Sequence, residues 1–384
     1  MKKVLAILLL LSGCISTYAQ DSNKELLKKL VEKQVLTEQE AKDLMNESEP
    51  EEQKNTVEKT TEYVRYIFTG TPYLQVGGYG LFMYNYSNTA EIKHDAQARV
   101  IFLSARGNLT NTISYFILGE FVRPEIYEFY GQWTPMKEFG IRGGQFKTPL
   151  SIENQLSLTA LETVFNTRSV SSLIGMTGDV LQLYNGKNNT GRDVGLMAQG
   201  SLINRSDYSL IDYSVGIFQG MGMNTSEKNN SKDFAANILF QPVKGFRIGG
   251  GAYFGEGYYS LDGNPANEAS HVRNRWIASS DYRNDRLYTR AEWIKAKDGG
   301  IDKEGLYGLA KYYLLPQKLS VVGKVDYLNR DKNRGDEVID YLFGVDYYFY
   351  KQCRMHVNYT YSDYSKVWGE KSSHNVVAQM QIVF

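Results

Sequence analysis

Hydrophobic and polar positions alternate in short runs along most of the chain, and the clearest runs are the last two. From Arg354 to Tyr361 every odd position is Met, Val or Tyr, and every even position is Arg, His, Asn or Thr. After a polar break at 362–373 the alternation returns and continues to Phe384. Because side chains of a strand point alternately to two sides, each run has one aromatic-rich apolar face and one polar face. Strands of about ten residues with such faces are typical of barrels that cross a bilayer.

Similar runs follow one another from residue 73 onward, separated by turn signals. The pattern predicts an all-β fold, a closed antiparallel transmembrane β-barrel of about sixteen strands. The predicted strands lie at 73–85, 95–107, 111–122, 126–135, 139–148, 190–200, 208–220, 232–241, 245–255, 271–282, 286–296, 304–314, 318–329, 338–348, 353–363 and 374–384.

The predicted connections alternate in length, which indicates an orientation. Short turns follow the even strands, as at 107–111 and 242–245, whereas longer polar loops mostly follow the odd strands, as at 87–94 and 256–270. Short periplasmic turns and longer outer loops are typical of bacterial barrels. We therefore expect both ends of the barrel on the periplasmic side.

The segment before the barrel has a different pattern. Lys2 and Lys3 followed by an apolar run predict a signal peptide at 1–19, with cleavage before Gln20; a lipobox-like cleavage at Cys14 is the alternative. Leucines spaced by three and four residues then predict a periplasmic helical hairpin, which a polar linker joins to the barrel within 20–62. The barrel itself is expected at 63–384.

Composition supports this assignment and excludes several others. The 384 residues include 29 Tyr and 35 Gly, and no apolar run after the N-terminus is long enough for a spanning helix. The 43 basic and 43 acidic residues balance, so the composition gives no reason to expect nucleic acid as a partner. Two cysteines, one of them in the leader, predict neither a disulfide framework nor a thiolate metal site, and no cofactor is expected.

One predicted connection, at about 149–189, is far longer than a hairpin requires. Loops of this length are usually functional or disordered, and the many apolar residues of this one argue against disorder. We predict that it folds inward and buries them against the barrel wall. These residues are Leu156, Leu158, Leu161, Val164, Phe165, Leu173, Ile174, Leu181 and Leu183.

Strand parity identifies charged side chains that face the lumen. With Trp276 and Trp293 facing lipid, the basic residues at inward positions of their strands and of later strands point into the lumen. Arg142 and Arg247 are assigned to the lumen as well. Lys147, just before the long loop, and Arg168, within it, complete the set. A ring of such charges favours anions in a narrow aqueous path. The candidate anion path comprises Arg142, Lys147, Arg168, Arg273, Arg275, Arg290, Lys311, Lys324 and Arg354. The alternative is that these cations only pair with inward acids, namely Asp212, Asp233, Asp326, Asp340 and Asp346.

Several fragments resemble the phosphate-selective porin O and P family of bacterial outer membranes. GQFKTPLS at Gly144–Ser151 is similar to the segment that opens that family's inward loop, and TGRDVGLMAQG at Thr190–Gly200 is similar to the following strand. Later strands with the same likeness are YSVGIFQGMG at Tyr213–Gly222, FQPVKGFRIGGGAYFG at Phe240–Gly255 and VNYTYSDY at Val357–Tyr364.

The resemblance implies a homotrimeric outer-membrane porin with a basic constriction that passes small anions such as phosphate. The long loop departs from this pattern, because Arg168 and Lys187 are opposed by three acidic residues. An unselective general porin and a surface-adhesive or structural barrel are the alternatives. The expected partners are outer-membrane lipid, small anions or other small solutes, and the barrel-assembly machinery, which would engage the C-terminal strand. The four histidines form no recognisable catalytic motif, so an enzyme is not expected.

Overall fold

A computed structural model describes residues 66–68, 72–262 and 264–384 of the protein. Sixteen of the described strands form one closed antiparallel barrel, as the alternation predicts. The first barrel strand, β2 (Gln75–Ser87), pairs with the last one, β17 (Ser373–Val383), so that Val383 faces Tyr79 and Asn375 faces Ser87. The short strand β1 (Tyr66–Phe68) pairs with the start of β2.

Each barrel strand pairs with its two neighbours along the chain, apart from the closing pair. The remaining strands are β3 (His94–Asn108), β4 (Ile113–Glu120), β5 (Glu125–Met136), β6 (Phe139–Lys147), β7 (Arg192–Asn204), β8 (Ser209–Phe218), β9 (Asp233–Val243), β10 (Phe246–Tyr259), β11 (Ala269–Arg283), β12 (Leu287–Asp298), β13 (Ile301–Leu315), β14 (Leu319–Asn329), β15 (Glu337–Tyr350) and β16 (Cys353–Tyr364).

The two faces of the barrel wall differ in chemistry. On β16, Met355, Val357 and Tyr359 are exposed on the outer face, whereas Arg354 and His356 are buried on the inner face. The same division holds on β11 and β12, where the tryptophans lie outside and the arginines inside. An apolar outer face and a polar inner face suit a wall that stands in lipid and encloses polar groups.

Connections are short at one end of the barrel and mostly longer at the other. The short ones include 137–138, 244–245 and 351–352, whereas the other end carries 148–191 and 219–232. One connection at the second end is also short: Gly299 and Gly300, with φ of 54° and 93°, join paired Asp298 and Ile301. A two-residue hairpin turn of this kind needs positive φ at both positions, which glycine adopts without strain.

The connection at 148–191 lies against the inner face of the barrel. It contains three short helices, α1 (Ile152–Gln155), α2 (Arg168–Leu173) and α3 (Val180–Asn185). Helix α2 packs against β12, β13 and β14, and α3 packs against β10. Most of the apolar residues of this connection are buried, but Phe165 and Leu183 are 43% and 55% exposed.

The expected signal peptide, helical hairpin and linker at 1–62 lie outside the described residues. Within the described ranges, no helix has the length and apolar character needed to cross a membrane.

Candidate functional site: the cavity beside the inward connection

A cavity of about 1140 Å³ lies between the inward connection and one side of the barrel. Its lining comes from β2 to β7, from β14 to β17 and from the inward connection, but not from the described residues of β8 to β13. It reaches from Trp368 and Glu370, at the end with long connections, to Gln199. Gln199 pairs with Gly140, which lies beside the short turn at 137–138. The cavity therefore extends along most of the barrel's length.

Basic side chains outnumber acidic ones around this cavity. Among the described lining residues, the basic ones are Arg99, Arg123, Arg142, Lys147, Arg168, Arg192, Lys324 and Arg330. The acidic ones are Glu128, Asp326, Asp340 and Glu370. Since eight basic residues face four acidic ones, the lining carries an excess of positive charge.

Arg99 points into the cavity because the register between β2 and β3 shifts at this point. Leu81 pairs with Val100 and Phe82 with Ala98, which leaves Arg99 as an extra residue. An extra residue in one strand re-aims the side chains around it. The Nη1 atom of Arg99 donates hydrogen bonds to the carbonyl of Val164, at 2.7 Å, and to the side chain of Gln379, at 2.8 Å.

Two further arginines of the cavity wall lie over tyrosine rings. The guanidinium carbon of Arg142 is 4.2 Å from the ring centre of Tyr130, and that of Arg192 is 5.2 Å from the ring of Tyr127. Arg142 donates a hydrogen bond from Nε to Gln132 and forms no ion pair with the described residues. Arg192 pairs with Glu128 at 2.6 Å. Stacking on aromatic faces fixes these guanidinium groups and leaves their positive charge in place.

Lys147 is the last residue of β6, just before the inward connection, and Arg168 begins helix α2 within it. Lys147 donates from Nζ to the carbonyl of Leu156 at 2.5 Å. Arg168 binds Asp340 through two nitrogens, at 2.7 and 3.1 Å. Burial alone would lower the pKa of Arg168, but its hydrogen bond with Asp340 and the charge of that carboxylate outweigh burial and raise the pKa above its ordinary value. Arg168 therefore stays charged.

Arg273, Arg275 and Arg290 of the candidate anion path lie against acidic residues of the inward connection and the barrel wall and do not line the cavity. Arg273 pairs with Asp179 at 2.8 Å, and Arg275 pairs with Asp298 at 2.8 Å. Arg290 lies within 3.0 Å of two glutamates of the connection. All three arginines are almost fully buried and none lines the cavity. Sequence parity placed them inside the barrel but contained no information on which acid would cover them.

The start of the inward connection is held by Glu292 of β12. Its carboxylate accepts hydrogen bonds from the Ser151 hydroxyl, at 2.6 Å, and from the backbone N–H of Ile152, at 2.7 Å. Asp326 likewise accepts from the first backbone N–H groups of α2. Carboxylates at these positions satisfy N–H groups that a helix start leaves without partners. The inward connection is therefore positioned both by acidic residues of the barrel wall and by acidic residues of its own.

Three other predicted cations have different surroundings. Lys311 and Arg354 both approach Asp346, at 2.5 and 3.8 Å, and neither lines the cavity. Arg354 also donates to the carbonyl of Leu161, at 2.6 Å. Lys324 lines the cavity and approaches Thr163 Oγ1 at 3.4 Å. Lys311 and Arg354 therefore both pair with an acidic residue that faces the lumen, Asp346.

Sequence reasoning missed four of the lining cations. Arg99 lies where both faces of β3 are apolar, so parity gave no direction there; Arg123 and Arg330 lie in connections, where parity does not apply. Arg192, the first residue of β7, follows the long connection directly. The shift of register at Arg99 has no local sequence signal.

Groups suited to a metal ion are not found among the described residues. Cys353 is buried, and its thiol lies 3.6 Å from the carbonyl of Val383. The cavity is best described by charge and shape: basic side chains outnumber acidic ones in its lining, and aromatic side chains form part of its wall.

Comparison with known proteins identifies the fold. Neither protein-family models nor curated proteins match the chain. Among solved structures, an anion-selective porin from Comamonas acidovorans matches with a TM-score of 0.61 and 11% identity, over 81% of this chain and 99% of that one. OmpF of Salmonella typhi, in complex with daunomycin, matches with a TM-score of 0.60 and 13% identity, over 83% of this chain and 100% of that one.

A third solved structure is the trimer form of OmpT, an outer-membrane protein of Vibrio cholerae, with a TM-score of 0.58 and 10% identity over 81% of this chain and 100% of that one. At such identities the likeness establishes the barrel fold of bacterial porins. It does not transfer the charge selectivity or ligands of those proteins to this chain.

Proposed function

We propose that this chain is an outer-membrane porin through which small hydrophilic solutes diffuse, with a preference for anions. The barrel fold, shared with solved porins, supports the channel. The cavity beside the inward connection supports a solute path, because its lining extends from the long connections to a position beside a short turn. A channel also explains why polar side chains line a wall whose outer face is apolar.

The observation that carries the anion preference is the direction in which the acids of the inward connection point. Glu153 and Glu162 face Arg290, and Asp179 faces Arg273, so none of the three lines the cavity. Two of the four lining acids, Glu128 and Asp340, are themselves paired with arginines. The lining cations are thus incompletely neutralised, which lowers the energy of an anion in the path and raises that of a cation.

A salt gradient across a planar bilayer tests this proposal. The purified channel should give a reversal potential that indicates chloride over potassium. Arg142→Gln should move this potential toward potassium, because it removes a lining charge without breaking an ion pair to a described residue. Arg286→Gln is the matched control, since Arg286 is exposed in a turn and does not line the cavity.

Two outcomes of this measurement decide between the proposal and its alternatives. A potassium preference of the unmodified channel would overturn the anion preference. No net preference would favour the unselective general porin. Swelling of protein-loaded liposomes in small sugars separates both porins from an adhesive or structural barrel, because a closed barrel produces no swelling.

Several finer assignments belong to the same proposal. Phosphate, which the sequence resemblance implies, is one of the small anions that would pass, without being the preferred one. We place both chain ends of the barrel on the periplasmic side because the short turns lie at that end. A homotrimer is proposed from the same resemblance; unheated gel electrophoresis and sedimentation in detergent would test it. Recognition of β17, the last described strand of the barrel, by the barrel-assembly machinery is also proposed. We assign no enzymatic activity.

A further inference from the structure

Phe165 is a large apolar side chain that lines the cavity and remains 43% exposed. Its neighbours on the inward connection behave differently: Leu161 and Val164 are each 1% exposed and packed against the barrel. Leaving an aromatic ring in water forgoes the stabilisation of burial. An exposed ring beside a polar path is therefore a surface that a passing solute can cover.

A cation lies directly against this ring. The guanidinium carbon of Arg99 is 4.6 Å from the ring centre of Phe165. Its hydrogen bonds to Val164 and Gln379 hold Arg99 in this position. Apolar surface and positive charge thus share one side of the path, and the guanidinium retains donors for an anion.

The barrel wall that lines the same cavity repeats this combination. Tyr79, Phe102 and Tyr127 pack in a row, with ring centres 5.2 Å apart in the first pair and 4.7 Å in the second, but Tyr79 and Phe102 are only 3% and 1% exposed, so Tyr127 is the ring that remains partly exposed. Arg192 lies over the ring of Tyr127 at its end. Phe165 on the inward connection and part of Tyr127 on the barrel wall therefore each combine exposed aromatic surface with an adjacent arginine.

We propose that the path favours small organic anions that join one carboxylate to an aromatic body, over inorganic phosphate. This inference rests on the proposed function and specifies its solute class. The carboxylate would lie near Arg99 or Arg192, and the ring would cover Phe165 and displace water from it. Phosphate carries more charge but gains nothing from the aromatic surface, and it must give up a stronger hydration shell.

Block of the chloride current by added anions in planar bilayers tests this inference. Benzoate, acetate, inorganic phosphate and neutral benzyl alcohol are the probes. Benzoate should block with an apparent affinity about two- to tenfold above that of acetate, given the usual free energy of an aromatic contact. Phosphate should bind more weakly than benzoate. Benzyl alcohol, which lacks the charge, should also bind more weakly.

Phe165→Ala should remove most of the difference between benzoate and acetate without changing the chloride reversal potential. The substitution removes an exposed ring, so the barrel should insert normally. Leu183→Ala is the matched control, because Leu183 is also exposed on the inward connection but does not line the cavity. It should leave all four affinities unchanged.

The possible results separate this inference from the function on which it rests. Equal affinities for benzoate and acetate, tighter binding of phosphate, or an unchanged benzoate affinity in Phe165→Ala would overturn it. Equal affinities for benzoate and benzyl alcohol would also overturn it, because binding in the path would then not depend on the charge of the solute. In each case an anion-directed reversal potential would leave the porin proposal intact, whereas a potassium preference would remove both.

Discussion

The guanidinium group of Arg290 lies 2.9 Å from the carboxylate of Glu162, and their side chains are only 1% and 4% exposed. The same guanidinium lies 3.0 Å from Glu153. One arginine of β12 thus holds two separate points of the inward connection. A buried ion pair is costly to break from one side, because the remaining charge has lost both its partner and water. The position of the connection is therefore set by charges on the wall behind it.

Replacing Arg290 with Met should release the inward connection. Glu153 and Glu162 would be left buried and facing each other's charge, at a cost of about 3–5 kcal/mol for the broken pair. We expect noisier single-channel currents and faster cleavage at a protease site inserted near residue 166. Arg286→Met, at an exposed turn, should show neither change.

A second variant removes the charges of both glutamates together with that of Arg290. Arg290→Met combined with Glu153→Gln and Glu162→Gln removes all three charges together, and it should recover quiet currents and protease resistance at least in part. Equal noise in the single and the triple variants would show that charge pairing does not hold the connection.

Replacing residues 151–188 with a short Gly-Ser link should raise conductance. The segment occupies the lumen beside the cavity, and the narrowest section of a path dominates its resistance. The replacement removes three acidic residues, Glu153, Glu162 and Asp179, and two basic ones, Arg168 and Lys187, and it takes the acidic partners from Arg273 and Arg290. We therefore expect anion preference to rise together with conductance.

The two readouts of this replacement are independent. Conductance is measured in symmetric salt and selectivity in a gradient, on variants that migrate as folded barrels before heating. An unchanged conductance in an inserted barrel would place the narrowest section elsewhere. A selectivity that moves toward potassium would contradict the assignment of the covered arginines.

Selectivity should weaken as the ionic strength rises. The screening length falls from about 10 Å at 0.1 M to about 3 Å at 1 M, so fixed charges on the wall act over a shorter distance in concentrated salt. Reversal potentials measured at a constant concentration ratio, but at increasing absolute concentration, should approach the value of an unselective pore. A preference that does not change with salt would indicate direct binding rather than a long-range field.

The barrel could be predicted from the sequence because lipid imposes a simple rule on every strand. Among sheets, only a closed one satisfies all backbone groups in lipid, and the alternation of side chains then fixes inside and outside, as for Arg354 and Met355. The position of the cavity could not be predicted in this way. Parity places Arg273 inside the barrel but does not show that Asp179, far away in sequence, covers it.

The missed lining residues show a second limit. Arg99 faces the cavity because β3 contains an extra residue at this point. The residues on both sides of Arg99 are apolar, so the sequence does not show that the alternation between inward and outward positions shifts here. The exposure of Phe165 is a tertiary property as well, since its sequence neighbours Leu161 and Val164 have the same apolar character and are buried. Pattern alone assigns all three to the core.

Changing Phe384 to Asp should reduce assembly of the barrel. The backbone of Phe384 exchanges two hydrogen bonds with Gly78, at 2.9 and 3.0 Å, and its exposed ring lies on the outer face. A carboxylate on that face would favour water over lipid. We expect less heat-modifiable, detergent-resistant barrel in membranes, with Phe384→Tyr as the conservative control. Normal amounts of folded Phe384→Asp would exclude this role for the ring of Phe384.

Gly78 provides a separate test of how the barrel closes. A Cβ atom added at this position would lie 2.4 Å from the carbonyl oxygen of Phe102 and 2.9 Å from the ring of Phe384. Backbone on one side cannot move without disturbing the pairing of β2 with β3, so Gly78→Ala should lower the temperature at which the folded band is lost on gels. Gly308→Ala is the matched control, because nothing lies within 4 Å of the added atom there. If the two variants lose the folded band at the same temperature, close contact between Gly78 and its neighbours is not needed for closure.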